Sequence, residues 1–118
     1  MDILLIEDDA GLSYALASSL QCRRITIVAS ARNAVLGRTL AEHATCDAAI
    51  LDYRLADGDG GSVGAALKRR GIPFLWLTSL EAAEFDALGA PLLQKPAPAA
   101  AIAATLERLV AHPPAARP

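Results

Sequence analysis

Five short apolar runs, separated by segments with helical periodicity, constrain this chain more than any other feature. The runs cover residues 3–6, 25–28, 48–51, 74–77 and 91–94. They are continuous rather than alternating, as in parallel strands covered on both faces. Between them, Leu12, Leu16 and Leu20 recur at helical spacing. Val35, Leu36 and Leu40 predict the inward face of a helix over 31–43, capped by Ser30. Val63, Ala66 and Leu67 predict another helix, with Asp59 as its N-cap and Gly71 as the glycine that ends it. Residues 81–88 carry only Phe85 and Leu88 facing inward, a weak helix stopped by Gly89. Ile102, Leu106, Leu109 and Val110 mark a last helix. This alternation predicts an α/β fold, a parallel sheet with helices on both faces.

At 118 residues the chain makes one domain, taken as 1–111, with an Ala- and Pro-rich tail over 112–118 expected to be disordered. Hydrophobic residues make up 53% and aromatics only 4%, so the core is built from Ala, Leu, Ile and Val. A net charge of −2 gives no basic footprint for nucleic acid. No apolar run reaches transmembrane length and no signal peptide is recognisable, so no membrane partner is expected and the compartment is read as cytoplasmic. Cys22 and Cys46 lack metal-ligand spacing and read as reduced thiols.

Right-handed crossovers bring the C-terminal ends of all the strands to one edge. The polar residues stand there: Glu7 and Asp8 after the first strand, Asp52 after the third, Thr78 after the fourth and Lys95 after the fifth. Crowded carboxylates raise one another's pKa unless a cation lies among them, and an all-oxygen cluster suits Mg²⁺. A hydroxyl and an ammonium beside it can take phosphoryl oxygens, so the set suits phosphoryl transfer onto a carboxylate. Each residue also has an ordinary role open to it. The acids could cap the first helix, Thr78 could be an N-cap, and Lys95 could be a solvated surface residue. Those roles together require four coincidences at four strand ends. Other motifs are missing. The stretch from Gly58 lacks the third glycine of a dinucleotide fingerprint, there is no phosphate-binding GxxxxGK, and the EF-hand pattern breaks at Gly61.

With residues 4–9 (LLIEDD), Ile50-Leu51-Asp52, Leu55-Ala56-Asp57-Gly58-Asp59-Gly60, Thr78 and Lys95-Pro96, the chain resembles the receiver domains of bacterial two-component response regulators over nearly its whole length. It resembles in particular a compact single-domain group common in alphaproteobacteria. The resemblance implies a flavodoxin-like (βα)5 three-layer sandwich, strand order 2-1-3-4-5, with a shortened fourth helix. It implies Asp52 as phosphoacceptor, assisted by Thr78 and Lys95. Mg²⁺ would be bound by Asp8 and Asp52, by Glu7 through a water, and by the backbone carbonyl of Arg54. The Arg54 side chain would border the phosphoryl group, and the bond before Pro96 would be cis. The donor would be a histidine kinase or histidine phosphotransfer protein, and the output an unidentified protein partner or a phosphoryl relay. Such a protein is a stand-alone signalling module that assists its own phosphorylation, not an enzyme in the usual sense. The alternative is a receiver-like adapter that works without phosphorylation. Two departures bear on the switch: Leu92 stands where an aromatic is usual, and Ala56 replaces the usual proline.

Overall fold

The computed structural model describes residues 1–113. All but the first two residues of the expected tail lie outside that range. The elements in chain order are β1 (Asp2–Ile6), α1 (Ala10–Gln21), β2 (Thr26–Ala31), α2 (Ala34–His43), β3 (Ala48–Leu51), β4 (Arg54–Leu55), β5 (Gly58–Asp59), α3 (Gly61–Arg69), β6 (Phe74–Thr78), β7 (Leu92–Gln94) and α4 (Ala99–Ala111), with one 3₁₀ turn at Ala82–Glu84. Five strands form a parallel sheet in the order β2-β1-β3-β6-β7. Leaving out the small antiparallel hairpin β4–β5, this is the 2-1-3-4-5 order of the flavodoxin-like fold.

Period-two alternation divides the strands between two cores. Leu4, Ile6, Ala49, Leu51, Phe74 and Trp76 pack on the side of α2 and α3. Ile3, Leu5, Ala48, Ile50, Leu75 and Leu77 pack on the side of α1 and α4. Trp76 is fully buried and is the bulkiest of these side chains. Among the described residues no helix is long and apolar enough to cross a membrane.

Three local expectations are corrected. Asn33, not Ser30, caps α2: its side chain accepts from the Leu36 N–H at 2.8 Å, and residues 30–31 belong to β2. Val35 and Leu36 do not face inward; they are 73% and 46% exposed. The helix instead meets the sheet through Gly37 and Ala41. A Cβ on Gly37 would lie 3.1 Å from Ile6 and 3.3 Å from Val63, so the close approach of the helix selects small residues and turns Val35 and Leu36 outward. The N-cap of α3 is Gly60 rather than Asp59, whose carboxylate accepts the Gly61 N–H at 2.8 Å without capping the helix. Gly60 has an ordinary φ of −79°, but a Cβ there would collide with the carbonyl oxygen of Asp52. Its need for glycine is one of space. Gly71, at φ 70°, ends α3 as expected.

Candidate functional site

Glu7, Asp52 and Lys95 each stand one residue beyond a strand and are held there by a further backbone bond. The Glu7 N–H donates to Ala31 O at 3.0 Å, the Asp52 N–H to Ile6 O at 2.9 Å, and the Lys95 N–H to Thr78 O at 3.0 Å. The sheet therefore positions these groups rigidly, as a pre-organised site requires. The Lys95 ammonium bridges Glu7 Oε1 at 2.6 Å and Asp52 Oδ2 at 2.8 Å. Carboxylate oxygens of Glu7, Asp8 and Asp52 all lie within 4.8 Å of one another. Glu7 and Asp52 are buried, and Asp8 is the more accessible acid. Three hard oxygen donors at this separation fit Mg²⁺.

Burial drives the Glu7 carboxyl up to about 7, against the opposing pull of the Lys95 ammonium and the Asp9 N–H. Burial alone would lower the Lys95 pKa, but its bonds to Asp52 and Glu7 outweigh that and raise it. A carboxyl whose folded pKa exceeds its unfolded value binds protons more tightly when folded, so stability falls as pH rises from about 4.5 to 7. Without divalent cation, unfolding free energy is expected to decline across that window by at most about 3 kcal/mol from this group. Glu7→Gln should flatten the decline. A variant with an unchanged slope in urea melts would contradict this.

Asp9 lies outside the cluster. Its Oδ1 caps α1 by accepting the Leu12 N–H at 3.0 Å, and its own N–H donates to Glu7 Oε2 at 3.1 Å. Thr78 ends β6 fully buried, and its Oγ1 accepts the Leu80 N–H at 3.3 Å, leaving the hydroxyl proton free to donate elsewhere. The Arg54 side chain is exposed on β4, opposite Asp59 in the hairpin. The Lys95–Pro96 bond is cis.

Two features escaped the sequence reading. Asp57, in the turn of the β4–β5 hairpin, accepts the Ala34 and Val35 N–H groups at 2.6 and 3.1 Å. Those bonds hold its pKa down and tie the loop after Asp52 to the start of α2. Nothing local signals a cap supplied from 23 residues away. The second feature is an aromatic cluster. Tyr53, next to Asp52, lies 4.3 Å from Phe85 and 5.7 Å from Trp76 between ring centroids, and Phe85 lies 5.1 Å from Trp76. Alternation places Trp76 on the same sheet face as Thr78, and that was legible. The expected fourth helix shrinks to the single 3₁₀ turn at Ala82–Glu84. The rest of the segment is held by side chains: Trp76 Nε1 donates to Ala87 O and Lys68 Nζ to Leu88 O, both at 2.9 Å.

Among solved structures, the non-phosphorylated receiver domain of HemR from Leptospira biflexa is 30% identical, covers 99% of this chain and 97% of its own, and superposes with a TM-score of 0.78. The chain belongs to the response regulator receiver domains. A receiver protein from Sinorhizobium medicae WSM419 shares the fold at TM-score 0.84 with 21% identity, covering 95% of each chain. The receiver domain of the sensor histidine kinase PA1611 from Pseudomonas aeruginosa PAO1, with a magnesium ion coordinated in its active site cleft, does so at TM-score 0.80 with 24% identity. It covers 93% of this chain and 97% of its own. No protein-family model and no curated protein matches the chain. Receivers are signalling modules, and in this one Glu7, Asp8 and Asp52 cluster at one edge of the sheet.

Proposed function

We propose that this receiver accepts a phosphoryl group on Asp52 from a histidine kinase or histidine phosphotransfer protein, and then signals by binding a partner protein or by passing the group on. The observation that carries this reading is the Lys95 ammonium bridging Glu7 and Asp52 across the ends of β7, β1 and β3. A cation 2.8 Å from the acceptor carboxylate stands where phosphoryl oxygens must be neutralised during transfer. The Asp52 oxygen forms the new P–O bond as the P–N bond of a phosphohistidine breaks, and the electron pair leaves with the imidazole. Thr78 donates its hydroxyl proton to one phosphoryl oxygen, and Lys95 binds another.

Glu7, Asp8 and Asp52, with the backbone carbonyl of Arg54, would hold Mg²⁺. The ion supplies the positive charge that lets a carboxylate approach a phosphoryl group. The magnesium in the cleft of the Pseudomonas receiver supports that assignment. Free thiols at Cys22 and Cys46 accord with the cytoplasm as the compartment.

Incubation with acetyl phosphate and Mg²⁺ should add the mass of one phosphoryl group; an unchanged mass would sink the proposal. Asp8→Asn removes a charged ligand and should weaken the Mg²⁺ dependence of labelling by at least about tenfold. Asp9→Asn should do little, because asparagine caps a helix as well as aspartate does. The reverse ranking would move the metal site onto Asp9. A phosphorylation-independent adapter remains the second reading, favoured by the half-buried Leu92 beside Trp76 where an aromatic switch residue would stand. The same mass measurement decides between the two.

A further inference from the structure

Of the four donors assigned to Mg²⁺, the side chains of Glu7, Asp8 and Asp52 stand just beyond β1 and β3 of the parallel sheet. The fourth, the Arg54 carbonyl, belongs to the small hairpin β4–β5, which pairs with no strand of that sheet. Arg54 lies opposite Asp59, next to the Tyr53–Gly60 pair, where the Gly60 N–H donates to Tyr53 O at 2.6 Å. Ladder bonds of an antiparallel pair skip every second residue. The hairpin therefore leaves the Arg54 carbonyl unused, and it can serve as a ligand.

A hairpin with two paired residues on each strand is marginal by itself, so the position of that carbonyl depends on what anchors the hairpin from outside. Leu55 is buried in the core on the side of α2 and α3. Apolar burial is non-directional; it holds the hairpin down without setting its tilt. The directional restraint is at the tip. Asp57 Oδ1 accepts the Ala34 N–H at 2.6 Å, and Oδ2 accepts the Val35 N–H at 3.1 Å. Two charge-assisted bonds to consecutive amides fix orientation as well as distance. The helix that supplies them is itself seated on β1, where Gly37 packs against Ile6, the residue before Glu7. We propose that Asp57 is a positioning residue for the divalent cation: its clamp on α2 holds the Arg54 carbonyl in register with Glu7, Asp8 and Asp52 and so sets Mg²⁺ affinity, although Asp57 is no part of the ligand cluster. The inference rests on the reading of that cluster, with the Arg54 carbonyl, as the Mg²⁺ site. Linkage makes the coupling reciprocal. Whatever factor the clamp adds to Mg²⁺ affinity, bound Mg²⁺ adds to closure of the clamp.

Calorimetric titration of the whole chain with Mg²⁺ alone measures the affinity, and urea melts measure the stability. Asp57→Ala should weaken Mg²⁺ binding about tenfold, the usual cost of losing a group that orients a ligand. Asn33→Ala removes a neighbouring cap of the same helix, the bond to the Leu36 N–H. It should lower stability comparably and leave Mg²⁺ affinity unchanged. Asp57→Asn loses the charge but keeps one acceptor oxygen, and should recover most of the lost affinity. In the wild type, saturating Mg²⁺ should slow amide exchange at Ala34 and Val35 about tenfold and leave Leu36 unchanged. This arm stands even if Asp57→Ala does not fold. Unchanged affinity in Asp57→Ala, an equal loss in Asn33→Ala or in Asp57→Asn, or equal slowing at Leu36 would overturn the inference while leaving the metal site in place. A wild type that binds no Mg²⁺ would overturn both.

Discussion

Lys95→Met leaves Glu7 and Asp52 facing each other without their shared cation. Stability at pH 7 is expected to fall by about 2 kcal/mol. That is less than a fully buried pair would lose, because the ammonium retains some exposure and Glu7 can take up a proton. Methionine keeps the apolar stem, so the loss reports the charge. Losing the ammonium raises the Glu7 carboxyl further, so in the variant it is protonated at pH 7 and gives up that proton only above it. The gap between variant and wild type should therefore widen from pH 7 to pH 9. Phosphoryl uptake should drop about a hundredfold, the usual cost of deleting one group that stabilises transition-state charge. Urea melts at the two pH values, with initial labelling rates by intact mass, check both effects. Equal stability at pH 7 with unimpaired labelling would mean that the bridge serves neither purpose.

The second large effect concerns residues 79–90. The Thr78 hydroxyl oxygen accepts the Leu80 N–H, so a hydroxyl drawn toward a phosphoryl group on Asp52 gives up that bond. Leu80 opens a segment with one 3₁₀ turn, pinned by Phe85 against Tyr53 and Trp76 and by the donors of Trp76 and Lys68. A segment with so few internal backbone bonds changes order before the sheet does. With beryllofluoride as a phosphoryl mimic, amide exchange across 79–90 should change at least about tenfold, with β7 nearly unaffected. Phe85→Ala should abolish most of the difference between the two states, at a stability cost of about 2 kcal/mol for a half-buried ring. A response confined to β7, or one that survives Phe85→Ala intact, would show that the aromatic cluster does not couple Asp52 to this segment.

The site was legible because parallel strands announce themselves as unbroken apolar runs, and their ends fall on one edge. Asp52 and Lys95 are 43 residues apart in sequence, yet topology alone brings them together. The acid register was legible too: Glu7 faces the cluster while Asp9 turns to cap α1. What failed depended on how closely elements approach. Val35 and Leu36 read as core until the contact of Gly37 with Ile6 turns the helix. The Asp57 cap on α2 is a tertiary bond with no local motif. The segment after Thr78 read as a short helix, but only one 3₁₀ turn forms there, and donors from Trp76 and Lys68 hold the Ala87 and Leu88 carbonyls beyond it.

The central claim is that the carboxylate of Asp52, held against Lys95 and beside Glu7 and Asp8, receives the phosphoryl group. Its most direct test is the mass of wild type and Asp52→Asn after acetyl phosphate and Mg²⁺, with peptide fragmentation to locate the label. The wild type should gain one phosphoryl group on the peptide containing Asp52, and Asp52→Asn should gain none. Stoichiometric label on Asp52→Asn, or on any other peptide of the wild type, would contradict it.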